Sequence, residues 1–96
     1  NQHLLSAFIP DSIQDISGEY RGHQMVLLIY SVSTYSMATY DKSTKNRRFT
    51  FFADSLVLDN GSVLFIRKQQ GDLFLVEPTM ADDVHPRTVG IYRRQP

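Results

Sequence analysis

The feature that most constrains this fold is a run of strands that is apolar on both sides. Ser55–Leu58, Ser62–Lys68 and Leu73–Glu77 read as strands, joined by short turns at Asn60-Gly61 and Gly71. Asn-Gly is the pair that best tolerates positive φ at both centres of a two-residue hairpin turn. Loop length sets register, so Val57 is expected opposite Leu64 and Leu56 opposite Phe65. The second turn sets Ile66 opposite Leu75 and Phe65 opposite Val76. Cross-strand neighbours share a face. One face therefore reads Leu56, Leu58, Val63, Phe65, Phe74, Val76, and the other Val57, Leu64, Ile66, Leu73, Leu75. Met25–Val32 is equally two-faced, with Met25, Leu27 and Ile29 against Val26, Leu28 and Tyr30. A sheet that faces water on one side alternates apolar and polar residues, and these strands do not. Leaving the second face wet forfeits roughly 7–15 kcal/mol, at about 1.5–3 kcal/mol per side chain. That rivals the whole stability of a small domain, so something covers that face.

Three covers are open. The first is the chain's own N-terminal stripe. Leu4, Leu5, Phe8 and Ile9 fall on one side of a short helix that Pro10 ends. Ile13 and Ile16 fit one further turn, so residues 1–16 are expected to form a helical segment packed on the domain. The second cover is a protein partner or a second copy, because large apolar patches mark interaction sites. The third is a lipid-like ligand inside a barrel.

The remaining pattern is strands and turns. Strands are expected near Gly18–Gly22, Met25–Val32, Tyr35–Asp41, Arg47–Ala53 and Arg87–Arg93, the first two running together as one long bent strand in one reading. Residues 41–46 read as a polar loop, and Pro78–Pro86 as the one long loop. Short strands with close turn signals predict an all-β, antiparallel meander. The chain of 96 residues fits a single domain, 1–96. The expected form is a small closed or partly open barrel with a short N-terminal helix.

Several functions lose support. Formal net charge is zero, whereas phosphate-backbone binding draws its affinity from a surplus of Lys and Arg, so no nucleic-acid partner is expected. The chain has no Cys, which removes disulfides, thiolate zinc sites and thiol nucleophiles. No apolar run reaches the roughly 18 residues of a membrane span. A start at Asn1 reads as a processed form or an excised piece.

His3, His23 and His85 lack metal-ligand spacing. Asp82, Asp83 and His85 read as a solvated acidic loop. No metal or cofactor is expected.

Two rival readings carry chemistry. Glu19, His23, His85 and Arg87 would meet if the first and last strands pair, and could serve a metal-free ribonuclease as base, acid and phosphate clamp. Arg47, Arg48, Phe49, Phe51 and Phe52 interleave cations with aromatics, as single-strand nucleic-acid binders do. Core packing explains the same phenylalanines.

Asn60-Gly61-Ser62 is a formal glycosylation acceptor that a tight turn also explains. Lys42, Lys45, Arg47 and Arg48 form a solvated hairpin end that could steer an acidic partner over about a Debye length. Tyr30, Tyr35 and Tyr40 recur every five residues and offer contact area at low entropic cost.

Gly18-Glu19-Tyr20-Arg21-Gly22 opens the meander, and Thr88-Val89-Gly90-Ile91-Tyr92 closes it. This layout resembles the small lipocalin-like barrels of bacterial periplasmic proteins and lipoproteins. In those a short helical turn precedes a Gly-x-Tyr-x-Gly strand, and the last strand returns beside it. Gly18, Tyr20 and Gly22 supply the opening, and Gly90 and Tyr92 the close. The resemblance implies a periplasmic or secreted binder: of small apolar molecules, of a protein it inhibits, or of a sensor subunit.

The expectation is therefore a non-catalytic extracytoplasmic module of inhibitor, immunity or sensor-subunit type that engages another protein or a second copy. Tyr30, Tyr35, Tyr40, Val57, Leu64, Ile66, Leu73 and Leu75 are its candidate contact residues. A small apolar ligand is the alternative at the same residues.

Overall fold

A computed structural model describes residues 5–22, 25–77 and 90–96. Nine strands lie within them: β1 Ser6–Ala7, β2 Gly18–Gly22, β3 Met25–Tyr30, β4 Thr34–Ala38, β5 Ser43–Phe52, β6 Ser55–Leu58, β7 Val63–Gln69, β8 Asp72–Val76 and β9 Ile91–Arg94. From β2 to β9 each strand pairs antiparallel with the next, and β9 pairs back onto β2. The result is a closed eight-stranded antiparallel barrel with one extra strand, β1. Closure removes the bare sheet edges that an open meander would expose.

Closure depends on the Gly-x-Tyr-x-Gly segment. A Cβ placed on Gly22 would lie 2.1 Å from a ring carbon of Tyr92, so only glycine lets β9 cross there. Tyr20, between the glycines, is fully buried, and its hydroxyl donates to the Ile16 carbonyl at 2.7 Å. Gly18 enters the strand at φ 140° beneath the Arg94 side chain. The Arg94 guanidinium in turn donates to the carbonyls of Asp15 and Ser17.

The expected register of the β7–β8 hairpin is the observed one, with Ile66 opposite Leu75 and Phe65 opposite Val76. The β6–β7 hairpin is shifted by one residue. Val57 lies opposite Val63 and Leu56 opposite Leu64. The cause is the turn. Leu58 N–H donates to the Ser62 carbonyl at 2.8 Å, which makes Asp59-Asn60-Gly61 a three-residue loop. Gly61 alone takes positive φ there, at 94°, and the Asn60 side-chain oxygen accepts the Ser62 N–H at 2.9 Å. A one-residue slip sends every side chain of a strand to the other face. The inner face therefore carries Leu56, Leu58, Leu64, Ile66, Leu73 and Leu75, all buried. Val57, Val63, Phe65, Phe74 and Val76 look outward.

Among the described residues there is no N-terminal helix. Within residues 5–17 the regular elements are β1 and one 3-10 turn, Ile13–Ile16. The reason lies on β7, which is longer than its neighbour β6. β6 ends its pairing at Phe65, and β1 takes over the same edge at Ala7–Arg67 and Ser6–Lys68. Phe8 N–H continues the ladder to the Ile66 carbonyl at 3.1 Å. Phe8 and Ile13 then pack against the barrel core, which Ile16 joins outright. Ile9 points outward and is 66% exposed. The described part of the segment thus adds side chains to the core. Leu4 lies outside the described residues.

Two further expectations are corrected. β2 and β3 are separate strands of one hairpin, with Gly22 opposite Met25. The polar residues 43–46 belong to β5, whose first half pairs with β4 and whose second half pairs with β6. Among the described residues no helix is long and apolar enough to cross a membrane.

Candidate binding surfaces on the barrel

An eight-stranded barrel is just wide enough for side chains to fill it. Tyr20, Leu27, Ile29, Tyr35, Phe49, Leu56, Leu58, Leu64, Ile66, Leu73, Leu75 and Tyr92 all join one buried cluster. At the mouth beside Leu58 and Leu64 there remains a cavity of about 80 Å³, reached past Met25, Met37 and Glu77. An apolar cavity of 150 Å³ is known to hold benzene, so this one is too small for an acyl chain. Of the candidate contact residues, Tyr35, Leu64, Ile66, Leu73 and Leu75 are core side chains. The structure brings them together inside the wall and leaves Tyr30, Tyr40 and Val57 outside it.

The buried tyrosines satisfy their hydroxyls one by one. Tyr35 donates to Asp59 Oδ1 at 2.7 Å, and Arg47 Nε donates to the other carboxylate oxygen at 2.5 Å. Burial, then the bond to Asp59, pushes the Tyr35 hydroxyl up to about 12. The same Tyr35 bond holds the Asp59 carboxyl below its ordinary value, with Arg47 adding to the effect. Tyr20 is pushed up to about 12 by burial, against the pull of Arg94. Tyr92 reaches about 12 by burial and by the charge of Glu77, which accepts its hydroxyl at 3.3 Å. These groups serve the fold: each ties a buried ring to backbone or to a carboxylate at the barrel margin.

Two outer surfaces are apolar. The first is a band across β5 to β9. Registered neighbours place Phe52, Val57, Val63, Phe65, Phe74, Val76 and Ile91 on the outer face. Phe52 is 71% exposed and Val57 37% exposed. The charges inside this band are paired. Arg67 bonds Asp54 at 3.0 Å while its guanidinium lies 4.9 Å above the Phe65 ring. Arg93 bonds Asp72 at 3.0 Å. The sequence signal for the band was present in the two-faced hairpins, although the one-residue slip had assigned its members to different faces.

The second surface is a trough of about 120 Å³ on the outer side of β3, β4 and β5, lined by Val26, Leu28, Ser36, Ala38, Ser43 and Lys45. Tyr30 stands in the neighbouring row and Tyr40 is 92% exposed in the β4–β5 turn. The sequence placed Val26 and Leu28 on one apolar face and Lys45 in a basic cluster, but it did not bring them together, because the trough depends on an irregular pairing. Between Tyr35–Arg47 and Met37–Thr44 the β4–β5 register shifts, and Asn46 takes φ 55°.

Most residues of the rival ribonuclease reading fall outside the described part of the chain. His23, His85 and Arg87 lie outside the described residues, as do His3, Asp82 and Asp83, and Glu19 is engaged with Arg21. Phe49 is buried and Phe51 packs on the core, so the aromatic run of β5 leaves only Phe52 outward. Among the described residues no three His, Asp or Glu side chains cluster as metal ligands would. No family model, curated protein or solved structure significantly matches the chain.

Proposed function

We propose that the protein is a non-catalytic binding module, working outside the cytoplasm, that engages a protein partner through the outer band of β5 to β9. The observation that carries this is a filled interior beside an apolar exterior. Phe52 and Val57 are exposed, and Val63, Phe65, Phe74 and Val76 lie half-buried beside them on the same outer face; apolar patches on soluble domains mark interaction sites. The cavity at the mouth is too small to make an apolar ligand the better reading.

A second copy fits the band. Its charges are already paired within the chain, and formal net charge is zero, so two copies meet without like-charge repulsion. Sedimentation velocity over a concentration series, run beside binding of an environment-sensitive apolar dye, tests the reading. Self-association that Phe65→Glu abolishes supports the copy. A monomer that binds the dye, and loses it in Phe65→Glu, supports a different protein partner on the same band. A monomer that binds no dye overturns the proposal.

A further inference from the structure

The β4–β5 hairpin carries a feature independent of the apolar band. Side chains along a strand alternate between faces, so Lys45 and Arg48, three apart, belong on opposite faces of a regular β5. They do not lie so. Arg48 is registered with Thr34, whose strand neighbours place it on the outer wall, and Thr44 is registered with the inward Met37. The extra residue of a β-bulge resets the alternation between them. Asn46 absorbs it at φ 55°, and its N–H donates to the Ser36 hydroxyl at 3.2 Å. The bulge therefore gathers Ser43, Lys45 and Arg48 on one outer face, beside the trough.

The trough itself comes from small side chains in the middle strand. Ser36 and Ala38 lie between Leu28 and Val26 on β3 and Lys45 and Ser43 on β5. The space is about 120 Å³, nearly all apolar apart from the Ser36 hydroxyl and the lysine at its rim, and suits one aliphatic side chain.

The charges beside it are unlike those elsewhere on the barrel. Arg21, Arg47, Arg67 and Arg93 each hold a carboxylate. Arg94 is spent on backbone carbonyls, and Lys68 lies over the Phe8 ring. Lys42, Lys45 and Arg48 have no carboxylate partner among the described residues, and all three stand on this one hairpin. Asp41, the nearest acid in sequence, accepts from Thr39.

We propose that this trough is a docking site for an acidic protein segment, which seats one aliphatic side chain between Val26, Leu28 and Ala38 and sets its carboxylates against Lys45 and Arg48. Charge complementarity selects the occupant: the trough supplies apolar area and its rim supplies uncompensated cations. Tyr30, in line with Thr34 and Arg48 across the strands, extends the contact on one side.

The test is backbone-amide NMR of the full chain titrated with a capped pentapeptide, one leucine between paired glutamates. Shifts are expected at Leu28, Ser36, Ala38, Ser43 and Lys45. Affinity is expected to fall about tenfold in the Lys45→Glu, Arg48→Glu double variant and to weaken with salt. Ala38→Phe, which fills the trough and leaves the cations, is expected to lower it by a similar factor. Amide dispersion of each variant, recorded without peptide, verifies the fold.

A peptide with glycine for leucine that binds as tightly would overturn the proposal, and so would a lysine-for-glutamate peptide. Shifts clustered elsewhere on the barrel, or the absence of saturable binding, would do the same. Tighter binding of oligothymidylate than of the acidic peptide would reassign the site to nucleic acid.

Discussion

Gly22→Ala is the sharpest test of how the barrel closes. In an ordinary strand, replacing glycine by alanine stabilises by about 0.5–1 kcal/mol, because alanine has less backbone freedom to lose. Here the opposite sign is expected. The new methyl would lie 2.1 and 2.5 Å from two ring carbons of Tyr92 and 2.8 Å from the Ile91 carbonyl oxygen. The ring has little room to yield, since Tyr92 is 2% exposed and its hydroxyl is bonded to Glu77. Forcing a methyl into a packed contact costs about 1–3 kcal/mol. Lifting β9 adds to that, because the seam with β2 rests on two registered pairs, Tyr20–Arg94 and Arg21–Arg93, and on the Gln95 N–H to the Glu19 carbonyl. A net loss of about 2–4 kcal/mol is expected, a large share of the few kcal/mol that hold a domain of this size. The melting temperature should drop by about 10–25 °C. Urea unfolding followed by far-ultraviolet circular dichroism measures the loss. In a Tyr92→Leu background the penalty should shrink by more than half, because the ring supplies the two shortest contacts. A neutral or stabilising Gly22→Ala would refute the closure.

Three further outcomes follow from the same geometry. Val57→Cys with Val63→Cys should form a disulfide cleanly in a chain that has no other cysteine, since the Leu58–Ser62 hydrogen bond makes the next pair a non-bonded one with Cα atoms about 4.5 Å apart. Val57→Cys with Leu64→Cys should not, and non-reducing electrophoresis separates the two. Ile16→Ala should cost about 2–5 kcal/mol in chemical unfolding, because Ile16 is fully buried, whereas Ile9→Ala, at a 66% exposed side chain, should stay within about 0.5 kcal/mol. Tyr20, Tyr35 and Tyr92 hold their protons up to about 12 in the folded chain. The folded state thus binds more protons than the unfolded one above pH 10, and stability is complete below pH 10 and lost as pH rises toward 12. Tyrosinate absorbance and circular dichroism should change together in that window, and each single Tyr→Phe should remove one late-ionising group.

What the sequence made legible is what local rules decide. The β7–β8 register follows from its connection, and Gly18–Gly22 is a strand as read. The β6–β7 register was missed because Asn60-Gly61 suits a two-residue turn, while the observed loop also takes in Asp59. Asp59 is held there by a nonlocal bond from Tyr35, 24 residues earlier, which no local turn preference contains. The N-terminal stripe resembled a helix in so short a window. What decided it was the edge of β7 left bare beyond Phe65, an unpaired ladder that a neighbouring backbone satisfies. Residues 43–46 looked like a loop because their polarity is that of an outer wall.

A slip exchanges faces; it does not make an apolar face polar. In either register the β6–β8 ribbon presents one row of aliphatic residues inward and another outward. The true register fills the barrel with Leu56, Leu58, Leu64, Ile66, Leu73 and Leu75 and puts the valines and phenylalanines outside. Leucine and isoleucine reach far enough from eight walls to occupy the axis, so the inner row leaves no lipid-sized space. The space that the described interior keeps is about 80 Å³, less than the alternative apolar ligand needs, and the outer row of valines and phenylalanines is the surface on which the proposed partner binding rests.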